Sequence, residues 1–527
     1  MAQFVRRNGE YKMNDLTALL GNIQKQSNSG IIDDNFIEFS DRTTTDFVPE
    51  VLPAEITLRG YQIAAVETIL KFKRGILGFA PGMGKTPTAL TAIANKTASK
   101  TVIVIPPSLA YDPWEKELRR LFPWINFAVL TGRTSYEISD DFDVVIIGDS
   151  VVAWWVDEIK AWGPSILIVD EAQRHKNKSA KRASATSEIA EDVRAHDGTV
   201  ILLTGTLATN DAEEVWMPAQ IAGIAKSIVG SSSYKKWCNR WCYMQQMMVE
   251  KKVGPNKENT KSIWIEVPNG CTDPIGLHNA LRETAYIRVE REDVVDMPEK
   301  LIVDHAVPVS AKGWNEYKMI RSDFEGWLTS QGKDPDAIAG SEKLVQLGKL
   351  VEYAALAKIE ACADYVEAMV EQNEQIVVMA HHKSVVAAFK TELDNRKISN
   401  RTFTGSDSPL KKAQNIDAFK SGEVSVLIGN IQSAGTGLNL ENSANLVFIQ
   451  LPWSPAEFEQ ASDRIYRVTQ TRTCTIHVLY AANTVEDHVM EVLSKKAIVT
   501  DGINAGTGEA SESESFMDEV WDLMMED

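Results

Sequence analysis

The sequence is poor in cysteine, short of basic residues and without a long apolar run. Its five cysteines, Cys238, Cys242, Cys271, Cys362 and Cys474, are spread over 527 residues. An odd and sparse set excludes a disulfide-stapled scaffold and fits a reducing compartment. Cys238 and Cys242 stand about one helical turn apart, with no second pair or histidine pair nearby to complete a zinc site, so they read as thiols of a Trp-rich helix. No apolar run reaches the roughly 20 residues of a membrane-spanning helix, and residues 1–13 lack the apolar core of an export signal. No membrane association is expected, and the expected setting is a bacterial or viral-host cytoplasm rather than a nucleus. The net charge of −18 argues against a body that is basic all over. Half of that excess is local: residues 501–527 hold nine acidic residues and no basic one. A basic track elsewhere on the molecule remains compatible with the sum.

What is present is length and rhythm. The chain is too long for one ordinary domain. Residues 1–53 have weak periodicity and read as an N-terminal extension. From residue 54, short β-branched runs at 76–79, 101–105, 143–147, 166–169 and 200–204 alternate with helix-like stretches. A second set follows at 376–380, 424–428, 446–450 and 475–479. Such runs predict buried parallel strands with helices on both faces. The expected fold is α/β, with two tandem parallel-sheet lobes and helical insertions. The expected boundaries are 54–225 for the first lobe, 226–300 for a helical insertion and linker, 301–368 for a helical insertion of the second lobe, and 369–500 for the second lobe. Residues 501–527 form an acidic tail, Gly/Ser/Glu-rich and disordered from 502 to 515. Its end carries apolar residues at helical spacing, Phe516, Val520, Leu523 and Met524. That amphipathic helix either docks on a protein partner or folds back on its own domain.

Four constellations carry chemistry. The stretch Ala80-Pro81-Gly82-Met83-Gly84-Lys85-Thr86 lies between an apolar run and a helix-like segment. Glycines there let backbone N–H groups close on phosphate oxygens. Lys85 can neutralise the β- and γ-phosphates of ATP, and Thr86 can hold Mg²⁺. The strand 166–169 ends in Asp170 and Glu171. Carboxylates at the C-terminal end of a buried parallel strand face the ligand crevice, where Asp170 can hold Mg²⁺ and Glu171 can orient and deprotonate the attacking water. Thr204-Gly205-Thr206 ends the next strand and can relay from the nucleotide to the rest of the cleft. The second half supplies Gln460, Arg464 and Arg467. The two arginines are spaced to share a helix face, and their guanidinium groups match the charge that develops on a transferring γ-phosphoryl group.

These motifs, in this order, resemble those of the superfamily-two helicases, and more closely the Swi/Snf-type DNA translocases over about residues 54–500. The resemblance is carried by Leu58-Arg59-Gly60-Tyr61-Gln62, by the Gly82–Thr86 loop and by Val104-Ile105-Pro106-Pro107-Ser108 with Trp114. It continues through Asp170-Glu171-Ala172-Gln173 running into Lys176 and Asn177, through Thr204-Gly205-Thr206, through Ser433-Ala434-Gly435-Thr436-Gly437 and through Pro452-Trp453 leading to Arg467. Leu277-His278, Tyr286-Ile287-Arg288 and His381-His382-Lys383 look closest to the annealing-helicase, HARP-like branch. Val289 stands where that family often has a second Arg, and Gln173 where many members have His. The resemblance implies two RecA-like lobes and ATP-driven movement along double-stranded or forked DNA. It implies nucleotide contacts from Gln62, Gly82, Met83, Gly84, Gly437 and Gln460, and DNA contacts from Ser108, Lys176, Asn177, Ser433 and Thr436. A strand-separating helicase on DNA or RNA, and an ATPase gated by a polymerase or replication protein, are the rival expectations.

Overall fold

Runs of Val, Ile and Leu that are apolar on both sides can only be satisfied between two layers of helices, and that is where they lie. The computed structural model describes residues 47–526 apart from 54–55, 97–99, 107–110, 254–258, 292–293, 295, 332–339, 432–438 and 507–515. The first lobe holds β1 (Arg74–Phe79), β2 (Thr101–Ile105), β3 (Phe127–Leu130), β4 (Val144–Gly148), β5 (Ile166–Val169) and β6 (Thr199–Leu203). Next come β7 (Tyr243–Val253) and β8 (Asn259–Asn269), which pair only with each other as an antiparallel hairpin. Then β9 (Tyr286–Val289) returns to the first sheet, giving seven parallel strands in the order β3-β4-β2-β5-β6-β1-β9. The second lobe has six parallel strands: β10 (Lys300–Ala306), β11 (Ile376–Ala380), β12 (Asn400–Phe403), β13 (Val426–Asn430), β14 (Asn445–Phe448) and β15 (Cys474–Tyr480). Their order is β10-β15-β14-β11-β13-β12. The expected α/β fold of two RecA-like lobes is therefore the fold observed.

The boundaries need correction. The first lobe does not end at 225, because β9 adds an edge strand beside β1, with Ile76 opposite Tyr286. The segment 226–300 is only partly helical, since the hairpin occupies its middle. Its Lys, Gln and Glu residues hide the strand alternation that a half-buried sheet would show. The second lobe opens with a strand, β10 on β15, and its helices Ala311–Gln331, Gly340–Ala357 and Ile359–Val370 come after it. Of the N-terminal extension, 1–46 lies outside the described residues. Val51 is tied to lobe one by its backbone, exchanging hydrogen bonds of 2.9 and 2.7 Å with the Asn95 side chain.

The helix Val485–Ala505 runs past the expected boundary at 500, so residues 502–505 are helix and not tail. It bridges the lobes. Val485, Val489 and Leu493 lie in the core of the second lobe, whereas Val499 and Ile503 lie in that of the first. The Asn504 amide oxygen accepts from the N–H groups of Leu207 and Ala208 at 2.9 and 3.0 Å. Of the disorder expected for 502–515, residues 507–515 lie outside the described residues. The terminal helix is present as Phe516–Glu526 and folds back on the second lobe. Val520, Trp521 and Met524 are buried there, and Trp521 meets the ring of Phe324 edge-on at 5.4 Å. Glu519 pairs with the fully buried Lys496 at 3.3 Å. Burial of an aromatic side chain of this size contributes on the order of 4 kcal/mol. Val520, Trp521, Leu523 and Met524 of the tail are thus packed against its own chain.

No described helix is long and apolar enough to cross a membrane. All five cysteines are buried and free.

Candidate active site

The phosphate loop joins β1 to the helix Lys85–Ala94. Gly82 and Gly84 have φ of +81° and +79°, a region that disfavours any side chain. At Gly84 the space is also closed, because a Cβ would collide with the amide nitrogen of Gln62. Gln62 is buried and grips the loop from behind. Its Oε1 accepts from Arg59 N at 2.7 Å, and its Nε2 lies 3.4 Å from the carbonyls of Met83 and Gly84. Tyr61 donates to Met83 O at 2.8 Å. Lys85 Nζ donates to Phe79 O at 2.8 Å. Burial lowers its pKa to about 8 against the pull of Glu171 and Asp170.

Both carboxylates sit where β5 ends. Asp170 Oδ2 accepts from Trp114 Nε1 at 2.9 Å and Oδ1 from Glu171 N at 3.0 Å. Burial, then the adjacent Glu171 charge, push Asp170 up to about 6. Glu171 has a left-handed backbone, φ +49°. Its Oε2 accepts from Gln173 Nε2 at 2.6 Å, while Gln173 Oε1 accepts from the Thr204 hydroxyl at 2.7 Å. An amide donates at one end and accepts at the other, so Gln173 links the ends of β5 and β6 without a titrating group. Gly205 lies on the phosphate loop, where a Cβ would come within 3.2 Å of Pro81. Arg288 fastens the same region, donating to Gly78 O and Gly205 O at 3.0 and 2.6 Å.

The second lobe brings its arginines to this crevice. Gln460 is on the helix Pro455–Ser462, half-buried. Arg464 and Arg467 do not share a helix face as expected, because that helix ends at Ser462. Tight bonds from Arg464 N to Ala461 O and from Ile465 N to Ser462 O turn the chain instead. The turn still keeps the two guanidinium groups close enough for the charge of Arg467 to act on Arg464. Arg464 is 4% exposed, and its Nε has no hydrogen-bond partner among the described residues. Burial, then Arg467, lower its pKa to about 10, and the charge of Glu171 pulls it back up. Arg467 Nε donates to Asp463 O at 3.2 Å. A buried guanidinium with an unmet N–H calls for an anion, and the γ-phosphate of ATP is of that kind.

Sequence reasoning missed Arg291. Its Nε donates to Pro81 O of the phosphate loop at 3.1 Å, and its Nη2 pairs with Asp463 of the second lobe, both side chains 6% exposed. The partner lies 172 residues on, so no local pattern reveals it.

Asp170 and Thr86 fit a magnesium ion by chemistry. They are hard oxygen donors, and the crowding of Asp170 by Glu171 is charge that a divalent cation relieves. Among the described residues there is no group of three or more His, Cys, Asp or Glu that could hold a metal alone. Cys238 and Cys242 are buried in the core of the first lobe.

Of the expected DNA contacts, Ser108, Ser433 and Thr436 lie outside the described residues, as does Gly437 of the nucleotide set. Lys176 is engaged within lobe one, donating to Glu214 at 2.6 Å and to Thr209 at 2.7 Å. Asn177 Oδ1 accepts from Ser179 N at 2.9 Å and shapes the turn after Lys176.

One consequence is a pH dependence. Lys85 must be charged to meet the phosphates, and rising pH removes that charge. We expect kcat/KM for magnesium–ATP to fall about tenfold per pH unit above about 8. By contrast kcat should hold, because bound polyphosphate keeps the proton on Lys85. Rates measured from about pH 7 to 10 check this, and a kcat/KM that stays level throughout would place Lys85 at its ordinary pKa near 10.4.

Comparison with known proteins gives a consistent picture. A family profile described as SNF2-related domain matches residues 61–333, more than half of the chain, and one described as Helicase conserved C-terminal domain matches residues 357–469. The chain is similar to the DNA annealing helicase and endonuclease ZRANB3 of Bos taurus, at 26% identity, over 91% of this chain and 43% of that protein. It is similar to the SWI/SNF-related matrix-associated actin-dependent regulator of chromatin subfamily A-like protein 1 of Xenopus tropicalis, at 24% identity, over 89% of this chain and 48% of that protein. It thus spans less than half the length of these curated relatives. Among solved structures, the Sulfolobus solfataricus SWI2/SNF2 ATPase core in complex with dsDNA aligns over 87% of this chain and 95% of that one, at 18% identity and a TM-score of 0.39. The two curated relatives are animal proteins, one of them named as a regulator of chromatin, and they overturn the expectation of a bacterial or viral-host cytoplasm; the nucleus stands open.

Proposed function

The chain belongs to the SNF2-related family of helicase-like ATPases, and from that premise we propose that it hydrolyses ATP to move along double-stranded DNA, forks included. The observation that carries the reading is the meeting of two lobes at one crevice, with Lys85, Asp170 and Glu171 from the first and Arg464 and Arg467 from the second.

The chemistry follows from the placement. Lys85 and the loop amides hold the phosphates. Glu171, fixed by Gln173, accepts a proton from the attacking water. Asp170 and Thr86 would hold magnesium, which would supply neutralising charge on the phosphate oxygens. Arg464 and Arg467 meet the charge spread over the γ-phosphoryl group, which requires the lobes to be closed. After hydrolysis that attraction is gone and the lobes can separate. If each lobe grips the phosphate backbone, the cycle becomes a step along the duplex, independent of sequence and weakened by salt.

The annealing named for the cattle relative supports forked DNA as a substrate. The partner-gated reading loses its main support, since Val520, Trp521 and Met524 of the terminal helix are buried in the second lobe.

The test is ATP turnover with no nucleic acid, blunt duplex, forked DNA, single strands and RNA. Strong stimulation by duplex and forked DNA is expected. Stimulation by RNA or single strands alone would replace the translocase with a strand-separating helicase.

A further inference from the structure

Arg291 follows β9 and precedes β10, so it belongs to the stretch of chain that joins the two sheets. Its side chain is buried and reaches into both lobes. Nε donates to Pro81 O of the phosphate loop at 3.1 Å, and Nη2 pairs with the equally buried Asp463. The guanidinium also lies over the ring of Tyr466, 5.3 Å from its centroid.

These two partners in the second lobe have special places in the chain. Asp463 immediately precedes Arg464, and Tyr466 immediately precedes Arg467. Asp463 ends the helix Pro455–Ser462, and from there Arg464 N bonds to Ala461 O and Tyr466 N to Ser462 O, both at 3.1 Å. The Asp463 carbonyl accepts from Arg467 Nε at 3.2 Å. Arg291 thus holds the side chain of Asp463, while the main chain of Asp463 holds Arg467. Tyr466 is fixed at its far end, where the hydroxyl donates to Pro298 O at 3.0 Å.

Guanidinium groups brought together in a buried place repel one another. Burial lowers the Arg467 pKa, the Asp463 charge opposes this, and the Arg291 charge adds to it. The Asp463 carboxylate offsets that repulsion, and its own place is set by Arg291. A pair buried this deeply often adds little net stability over an apolar pair of similar shape. What it imposes is geometry, because a planar fork and a carboxylate meet in few ways.

We propose that Arg291 is a positioning residue for ATP hydrolysis. It ties the phosphate loop to the turn that carries Arg464 and Arg467, and so sets both guanidinium groups against the γ-phosphate that the loop holds. One side chain spans from the loop carbonyl to the residue before each arginine, so a shift of Pro81 around nucleotide passes to the arginine turn. The proposal rests on the assignment of Arg464 and Arg467 to the phosphoryl charge.

The test uses the full chain with Arg291→Met, Arg291→Lys and the pair variant Arg291→Met with Asp463→Asn. Arg291→Met is also placed in an Arg464→Met background. The readouts are kcat and KM for magnesium–ATP, with and without duplex DNA, and stability in urea. We expect Arg291→Met to lower kcat by about 10²-fold, the cost of misplacing reacting groups by about 1 Å. KM should change little, because Gln62 and Tyr61 still grip the loop. Arg291→Lys keeps a charge for Asp463 and should recover part of the loss. The pair variant leaves no member of the pair as a lone buried charge, so it should unfold at the same urea concentration as wild type and still turn over slowly. In the Arg464→Met background, Arg291→Met should cost less than about tenfold more, since one of the groups it positions is gone.

Losses that multiply in full would show Arg291 acting independently of Arg464 and overturn the assignment. A raised KM at wild-type kcat would confine Arg291 to the phosphate loop and overturn it equally, as would wild-type turnover of the pair variant. If Arg464→Met is slow and Arg291→Met is not, Arg291 alone loses its role. If Arg464→Met turns over as wild type does, the reading of the arginines falls and the role of Arg291 with it.

Discussion

Replacing Glu171 with Gln is expected to lower kcat for ATP by about 10²–10⁴ while leaving nucleotide binding intact. The substitution keeps the shape and keeps an oxygen for the 2.6 Å bond from Gln173 Nε2, so the link on to Thr204 survives. It also leaves the left-handed backbone at this position no more strained than before. What is lost is a carboxylate able to take a proton. A second effect has the opposite sign. The Glu171 charge is one cause of the raised Asp170 pKa, so its removal returns Asp170 toward the ordinary carboxylate range and favours the ion pair with magnesium. Binding of magnesium–ATP should therefore be equal or tighter. Single-turnover hydrolysis together with equilibrium binding of a labelled nucleotide separates the two. A fall of less than tenfold in the chemical step would remove Glu171 from the role of base.

Much of this was legible in the sequence because the informative groups are local. β2 and β5 lie at the expected residues, since Val and Ile runs bounded by loops leave one arrangement that buries both faces. Lys85, Asp170 and Glu171 stand at fixed offsets from such strands, so finding the strand finds the residue. Outside the hairpin, the strands that escaped notice, β3, β9, β10 and β12, are short or partly polar edges whose side chains do not alternate cleanly. The hairpin was hidden by its lysines and glutamates, although Gly254-Pro255-Asn256 between two β-rich runs is a turn signal that sequence reading could have used. Arg291 was beyond reach for a different reason. A lone arginine after a strand is ordinary, and only the fold sets it between Pro81 and Asp463. The long bridging helix was cut at 500 because its acidic and glycine-containing end resembles the tail that follows, whereas Ile503 and Asn504 are held by the first lobe.

Arg464 offers the sharpest separation of structural from chemical roles. Removing the guanidinium is expected to reduce kcat by about 10³–10⁵, the usual contribution of an arginine that meets transferring phosphoryl charge. An arginine buried for structural reasons would be fully hydrogen-bonded, and its loss would destabilise the fold by several kcal/mol. Arg464 is buried with its Nε unmet, and its pKa is lowered by that burial. In the nucleotide-free protein the group is therefore a cost. Arg464→Met, which keeps much of the side-chain volume and carries no charge, should fold at least as stably as wild type in urea. Its backbone carbonyl, which accepts from Leu440 N at 2.9 Å, is untouched by the change. Arg464→Lys should restore little turnover, since an ammonium cannot offer the fork of donors that a phosphoryl group takes. Nucleotide binding should change by no more than a few fold, because Lys85 and the loop amides hold the phosphates from the other lobe. Stability and turnover measured on the same variant decide the matter: lost turnover in an undiminished fold fixes Arg464 in the reaction, whereas a matching loss of stability would make it a strut between the lobes, the place that Arg291 and Asp463 already fill.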